Sequence, residues 1–321
     1  MLEFPQPAKQ YDRVYIEQTD APLPDKLDPR TRYVLFTTIA KGGKSLIKSC
    51  TDRYLGRVVV YKTLKPEFAN DPVEQLRLLR EARVSAMLQH PNTVPTYEIG
   101  RDNRGNYYFT MKLVHGYTLR EILNYRERYD LTQLVDVLVQ ICQALNYAHD
   151  HGVVHRDIKP DNILVGPFGE VLLLDWGLAK VWSKAPDGSN EALPEGDATP
   201  REDLSITQAG ALQGTVVYMS PEQTNKSDDL SGATDIYSIG AILYEVLTGR
   251  TPFTGDKVYE VIEQVRTHEP AKPSEVARFK VPELLEEITL QCLRKDPAER
   301  IPSMWELIRL LQEDWHRDLQ V

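Results

Sequence analysis

The run His155-Arg156-Asp157-Ile158-Lys159-Pro160-Asp161-Asn162 gathers several reactive groups into one short stretch. A carboxylate such as Asp157 can accept a hydroxyl proton, and an ammonium such as Lys159 beside it can stabilise charge on a phosphoryl group in transfer. Downstream, Ile163-Leu164-Val165, the turn Gly166-Pro167-Phe168-Gly169 and the apolar run 171–174 read as a hairpin that delivers Asp175-Trp176-Gly177. That hairpin sets Asn162 and Asp175 side by side at the ends of two paired strands. An amide oxygen and a carboxylate converging there suit Mg²⁺, which takes few protein ligands and completes its shell with phosphate oxygens.

The surrounding elements must hold these groups still. Leu134, Leu138, Ile141, Leu145 and Ala148 recur at helical spacing before the run, and Gly152 is placed to end that helix. Residues 233–247 are apolar on nearly every side and read as a buried helix, followed by amphipathic helices near 257–267, 282–294 and 303–315. The first part of the chain is different in kind. Runs at 33–39, 45–50, Arg57–Leu64, 93–100 and 107–113 read as strands. Between them, Asp71-Pro72-Val73-Glu74 starts a helix that runs to about Gln89: Asp71 is the N-cap, Pro72 the first helical residue, and Glu74 completes a capping-box pattern. Residues 1–30, with five prolines, read as an extended arm. Residues 183–205 carry six acidic side chains against Lys184 and Arg201 and read as an acidic, mobile loop.

Composition narrows the function classes. At 321 residues with 41% apolar side chains, the chain can bury a large core. Its net charge of −9 argues against a nucleic-acid-binding face. Cys50, Cys142 and Cys292 are widely separated, which suits buried thiols in a reducing compartment. Nothing approaches the ~18 consecutive apolar residues of a membrane span. The N-terminus lacks the basic-then-apolar order of a secretory signal, so a cytoplasmic protein is expected.

The chain resembles the protein kinase superfamily over about 33–311. His155–Asn162 is similar to its catalytic loop, and Asp175-Trp176-Gly177 to its metal-binding Asp-Phe-Gly motif with Trp in place of Phe. Lys159-Pro160-Asp161-Asn162 resembles the serine/threonine branch, and 156–164, 175–180 and 218–223 are similar to bacterial members. The resemblance implies an α+β fold of two lobes: an antiparallel β lobe with one helix (about 31–114) and a larger helical lobe (about 115–321). It implies ATP and Mg²⁺ or Mn²⁺ as cofactors and proteins as substrates. It also implies that Lys62, in Val59-Val60-Tyr61-Lys62, holds the α- and β-phosphates and pairs with Glu81. Met111, Lys112, Leu113 and Val114 align with the hinge, whose backbone would contact adenine. Asp157 would be the proton acceptor, and Asn162 and Asp175 the metal ligands. Thr215, near the end of the activation segment, would approach Asp157 and help recognise a hydroxyl. Glu222 would pair with Arg300, and Asp235 would support the catalytic-loop backbone. Arg156 beside the aspartate suggests control by activation-loop phosphorylation, with Thr207 and Ser205 as the candidate sites, and a transient homodimer would serve autophosphorylation.

The pattern departs from the family at the glycine-rich loop. Glycines expected at Ala40, Gly42 and Ser45 are reduced to Gly42, with Gly43 beside it. Val60 adds bulk above the adenine pocket. Both features predict weaker nucleotide affinity and keep a second class open, a pseudokinase scaffold or allosteric partner. The five intact residues Lys62, Glu81, Asp157, Asn162 and Asp175 favour the enzyme. Gly43-Lys44-Ser45 mimics a P-loop ending, but Thr38 stands at its first glycine and the context is strand–turn–strand. His149, His151 and His155 straddle a helix end without metal-ligand spacing and read as structural or solvated histidines.

Overall fold

The computed structural model describes residues 20, 22–23, 28–184, 190–192, 215–225, 227 and 230–315. The expected 1–30 arm, the acidic 183–205 segment, Thr207 and Ser205 therefore lie largely or wholly outside the described residues. The rest forms two lobes. In the first, β1 (Tyr33–Lys41), β2 (Ser45–Asp52), β3 (Arg57–Leu64), β4 (Thr96–Arg101) and β5 (Tyr107–Lys112) make an antiparallel sheet in the order β1-β2-β3-β5-β4.

Helix α1 (Pro72–Met87) starts as its sequence dictates, with Asp71 accepting from the Val73 and Glu74 backbone N–H groups. Its Leu78 and Ala82 pack on Phe109 of β5. Alternation along β3 puts Lys62 on the α1 side of the sheet. Val59 and Tyr61 take the other face, in a separate cluster with Tyr33, Cys50 and Tyr108.

Two expectations need correction here. Glu74 does not return to the N-cap; its carboxylate accepts instead from Lys44 and Arg77, because the β1–β2 turn brings an ammonium within reach. The strand expected from residue 93 begins at Thr96. Thr93 is held in a turn, its hydroxyl bonded to the carbonyls of Leu88 and His90.

The second lobe contains α2 (Leu119–Leu123), α3 (Leu131–Asp150), α4 (Pro221–Thr224), α5 (Gly232–Thr248), α6 (Val258–Thr267), α7 (Pro273–Val276), α8 (Glu283–Cys292) and α9 (Met304–Arg309). Helix α5 is buried on all sides from Thr234 to Leu247 and forms the axis of the main core. Asp130 caps the start of α3. Gly152 then turns the chain at φ 71°, and a Cβ there would lie 2.7 Å from the Trp182 carbonyl oxygen. The required absence of a side chain lets β10 (Lys180–Lys184) pair with β7 (Val153–Val154) immediately before the reactive run. Strands β8 (Ile163–Val165) and β9 (Val171–Leu173) form the expected hairpin, with the short β6 (Tyr117–Thr118) on its far edge and β11 (Asn190–Ala192) beside β10. Cys50, Cys142 and Cys292 are free and buried. Among the described residues, no helix is long and apolar enough to cross a membrane.

Candidate active site

The reactive run is held from below by one carboxylate. Asp235, fully buried in the first turn of α5, accepts from the backbone N–H groups of His155 and Arg156, each at 2.9 Å. His149 Nε2 contacts the same carboxylate at 2.8 Å. Burial works to raise Asp235, but these donors outweigh it and hold the carboxyl below its ordinary value. Arg156 takes a left-handed φ of 70°, donates Nε–H to the Leu178 carbonyl at 2.6 Å and accepts from Gln223 Nε2 at 2.7 Å. His155 Nδ1 accepts from the Asp157 N–H at 3.2 Å, so Nε2 is the ring donor to the Leu174 carbonyl at 3.1 Å. That ring packs on Trp176, with centroids 4.5 Å apart.

The side chains above this base converge. Lys159 Nζ lies 3.0 and 2.8 Å from the Asp157 carboxylate oxygens and 3.4 Å from the Thr215 hydroxyl. Asn162 donates Nδ2 to the Asp157 carbonyl at 2.8 Å and to its carboxylate at 3.0 Å. The Leu174 N–H bonds the Asn162 carbonyl at 2.8 Å, which is how the hairpin brings Asp175 beside Asn162. Asp175 itself sits at φ 62°; it and Arg156 are two of the three described non-glycine residues in the left-handed region. Backbone strain is thus concentrated next to the reactive groups.

Across the cleft, Lys62 Nζ contacts the two Glu81 oxygens at 2.5 and 2.7 Å, and both side chains are buried. Burial works against the Lys62 ammonium, but Glu81 and Asp175 more than offset it and raise its pKa. Burial pushes the Glu81 carboxyl up to about 7 against the pull of Lys62. These two tendencies pull apart, and the contact of one ammonium with both oxygens identifies a charged pair. The two aspartates facing this cleft are also driven apart. Asp157 is raised by burial, only partly offset by Lys159, whereas Asp175 is lowered chiefly by Lys62. One carboxylate is thereby moved toward proton acceptance and the other kept ionised.

A cavity of about 330 Å³ joins the two sides, lined by Gly42, Gly43, Lys62, Glu81, Asp157 and Asp175 among others. Four carboxylates (Glu74, Glu81, Asp157, Asp175) face it against three cations (Lys44, Lys62, Arg77), so a polyphosphate entering it needs added positive charge. With its amide nitrogen engaged, Asn162 has its carbonyl oxygen to offer, beside the ionised Asp175. This hard-oxygen donor set fits Mg²⁺ or Mn²⁺. Among the described residues, no group of three or more His, Cys, Asp or Glu side chains is placed to hold a metal ion together.

Other expected site residues lie elsewhere. Ala40 is exposed in β1, paired with Ile47, and does not line the cavity. Met111 pairs with Val60, and Met111, Lys112 and Val114 also stand outside this cavity. The Lys112 N–H donates to the Pro95 carbonyl at 3.0 Å, which leaves its carbonyl as the backbone group that Lys112 can offer. Arg300 pairs with Glu222 at 2.7 and 2.8 Å. Sequence reasoning did not find Lys44 and Arg77 at the cavity. The only signal was their charge, and their placement depends on the β1–β2 turn folding back over α1.

Comparison with known proteins agrees with this architecture. The protein kinase domain description matches residues 33–315. The chain is 35% identical over 290 residues to the serine/threonine-protein kinase PknD of Protochlamydia amoebophila, covering 86% of this chain and 29% of that protein. It is 37% identical over 279 residues to a probable serine/threonine-protein kinase of Streptomyces coelicolor, covering 86% of this chain and 39% of the relative. With PknB of Mycobacterium tuberculosis it shares 35% over 280 residues, 86% of this chain and 42% of that protein. The chain thus spans less than half the length of each of these relatives.

Proposed function

The chain belongs to the protein kinase family, and on that premise we propose that it transfers the γ-phosphoryl group of ATP to serine and threonine hydroxyls of proteins. The observation that carries this reading is one cavity lined by the Lys62–Glu81 pair, Asp157 and Asp175, with Lys159 bonded to Asp157 and 3.4 Å from the Thr215 hydroxyl.

The steps follow from these positions. Lys62, held upright by Glu81, positions the nonreacting phosphates. A substrate hydroxyl enters beside Thr215 and Asp157. As its oxygen bonds to the γ-phosphorus and the bond to the ADP oxygen breaks, its proton passes to the Asp157 carboxylate. Lys159, already bonded to that carboxylate, neutralises charge on the phosphoryl group in flight. Asp175 and the Asn162 carbonyl oxygen would hold Mg²⁺ or Mn²⁺, which supplies charge neutralisation for the phosphates when bound. Thr207 and Ser205 remain the proposed regulatory phosphosites.

The test is transfer from labelled ATP, with Mg²⁺ or Mn²⁺, to the chain and to a basic protein, comparing the natural protein with Asp157→Asn. The expected loss in the variant is on the order of 10²–10⁴-fold, with label on serine or threonine. Absence of transfer by the folded natural protein, with its activation segment phosphorylated, would instead make it a pseudokinase scaffold.

A further inference from the structure

Glycine is absent at Ala40, near the end of β1, and at Ser45, the first residue of β2, which limits how closely the backbone beside the β1–β2 turn can approach phosphates. It lines the cavity nevertheless, through Gly42, Gly43, Lys44 and Ser45. A Cβ on Gly42 would lie 2.7 Å from Ser45 Oγ, so that hydroxyl would have to turn aside, whereas an added Cβ on Gly43 would meet nothing within 4 Å. Lys65 donates to the Gly43 carbonyl at 2.6 Å and pins the backbone. The cationic side chain that the turn presents is Lys44, and its ammonium donates to Glu74 Oε1 at 2.7 Å. That pair is asymmetric: 42% of the Lys44 side chain is exposed but only 7% of Glu74. Arg77, one turn along α1, donates to the same Glu74 oxygen at 3.0 Å.

We propose that Lys44 is a phosphate-binding residue that exchanges Glu74 for the terminal phosphates of a bound nucleotide, adding a side-chain contact where Ala40 and Ser45 limit the approach of the backbone. This assignment rests on the phosphoryl-transfer reading insofar as it places a polyphosphate in the same cavity. Glu74 is too buried to be left alone without cost, and Arg77 keeps it paired when Lys44 departs. A lysine suits the exchange because its charge sits at the end of a flexible four-carbon stem. With carboxylates outnumbering cations around the cavity, a polyphosphate gains more from Lys44 than does Glu74, which has a second partner. Nucleotide binding and the position of α1 are thereby coupled through Glu74, in addition to the Lys62–Glu81 pair.

Calorimetric titration of the full chain with ATP, ADP and adenosine at fixed Mg²⁺ tests this. Lys44→Met should weaken ATP binding about tenfold, the loss of one hydrogen bond to a charged group, and leave adenosine within about twofold. Lys44→Arg should restore most of it. Glu74→Gln, which removes the competitor, should tighten ATP binding about two- to fivefold, and that gain should vanish in the double variant with Lys44→Met. Lys44 is 42% exposed and glutamine keeps the shape of the buried Glu74, so these variants should fold, which a thermal melt verifies. Unchanged ATP affinity in Lys44→Met overturns the proposal, as does a natural protein that binds ATP no more tightly than adenosine. ATP binding through Lys44 without any phosphate transfer would leave this assignment standing and sink the kinase reading.

Discussion

The catalytic loop and the β1–β2 turn face each other across the same cavity, yet they are restrained in opposite ways. In the loop, backbone N–H groups of His155 and Arg156 bond directly to a carboxylate with no solvent exposure. The turn is held by one backbone bond, from the Lys65 N–H to the Lys44 carbonyl, and by two lysine ammoniums, Lys65 to the Gly43 carbonyl and the turn's own Lys44 to Glu74. A buried charge with several donors resists displacement at a cost of several kcal/mol, whereas a partly exposed ion pair is worth about 0–1 kcal/mol. Reacting atoms are thus fixed where nothing has to move. The restraint is weak where a nucleotide has to enter and leave.

Asp235→Asn attacks the rigid side and should have the largest effect. It replaces an acceptor oxygen by an amide that faces donors, and about 3 kcal/mol of stability should go, together with most phosphate transfer. Denaturant unfolding and the transfer assay read the two losses; a stable variant that has lost only activity would mean that Asp235 positions the loop without bearing the fold. The same side should fail in acid. Asp235 and Glu222 both lie below their ordinary values of 3.8 and 4.5, in each case because donors overcome the opposing effect of burial. Their stabilisation is therefore complete above those values and is lost as pH falls through the lower, folded ones. Melting temperature should be flat with respect to these two groups above about pH 5 and fall steeply below 4; a flat profile down to pH 2 would contradict the assignment. The smallest effect is expected at the turn. Ala40→Gly restores a family glycine in an exposed strand and should lower stability by only ~0.5–1 kcal/mol. If it cost as much as Asp235→Asn, the contrast between the two sides would be wrong.

Much of this molecule was legible from local signals. The cap at Asp71, the stop at Gly152 and the hairpin 163–174 each depend on residues a few positions apart, and each forms as read. The pairing of Glu222 with Arg300 was legible through resemblance alone, since 78 residues separate them. Glu74 shows the limit. Its spacing from Asp71 fits a capping box, but in the folded chain Lys44 and Arg77 offer charge where the N-cap backbone offers only one neutral donor.

Turns, caps and side-chain chemistry are properties of short segments, so most elements, their order and the proposed reacting groups can be read along the chain without its fold. The tertiary structure alone decided which charges meet. Coulombic and hydrogen-bonding partners are chosen by distance in space, and the approach of the β1–β2 turn to α1 is fixed by the packing of the whole sheet. For that reason Asp157 stands out in its motif, while the contact of Lys44 with Glu74 exists only in the folded chain.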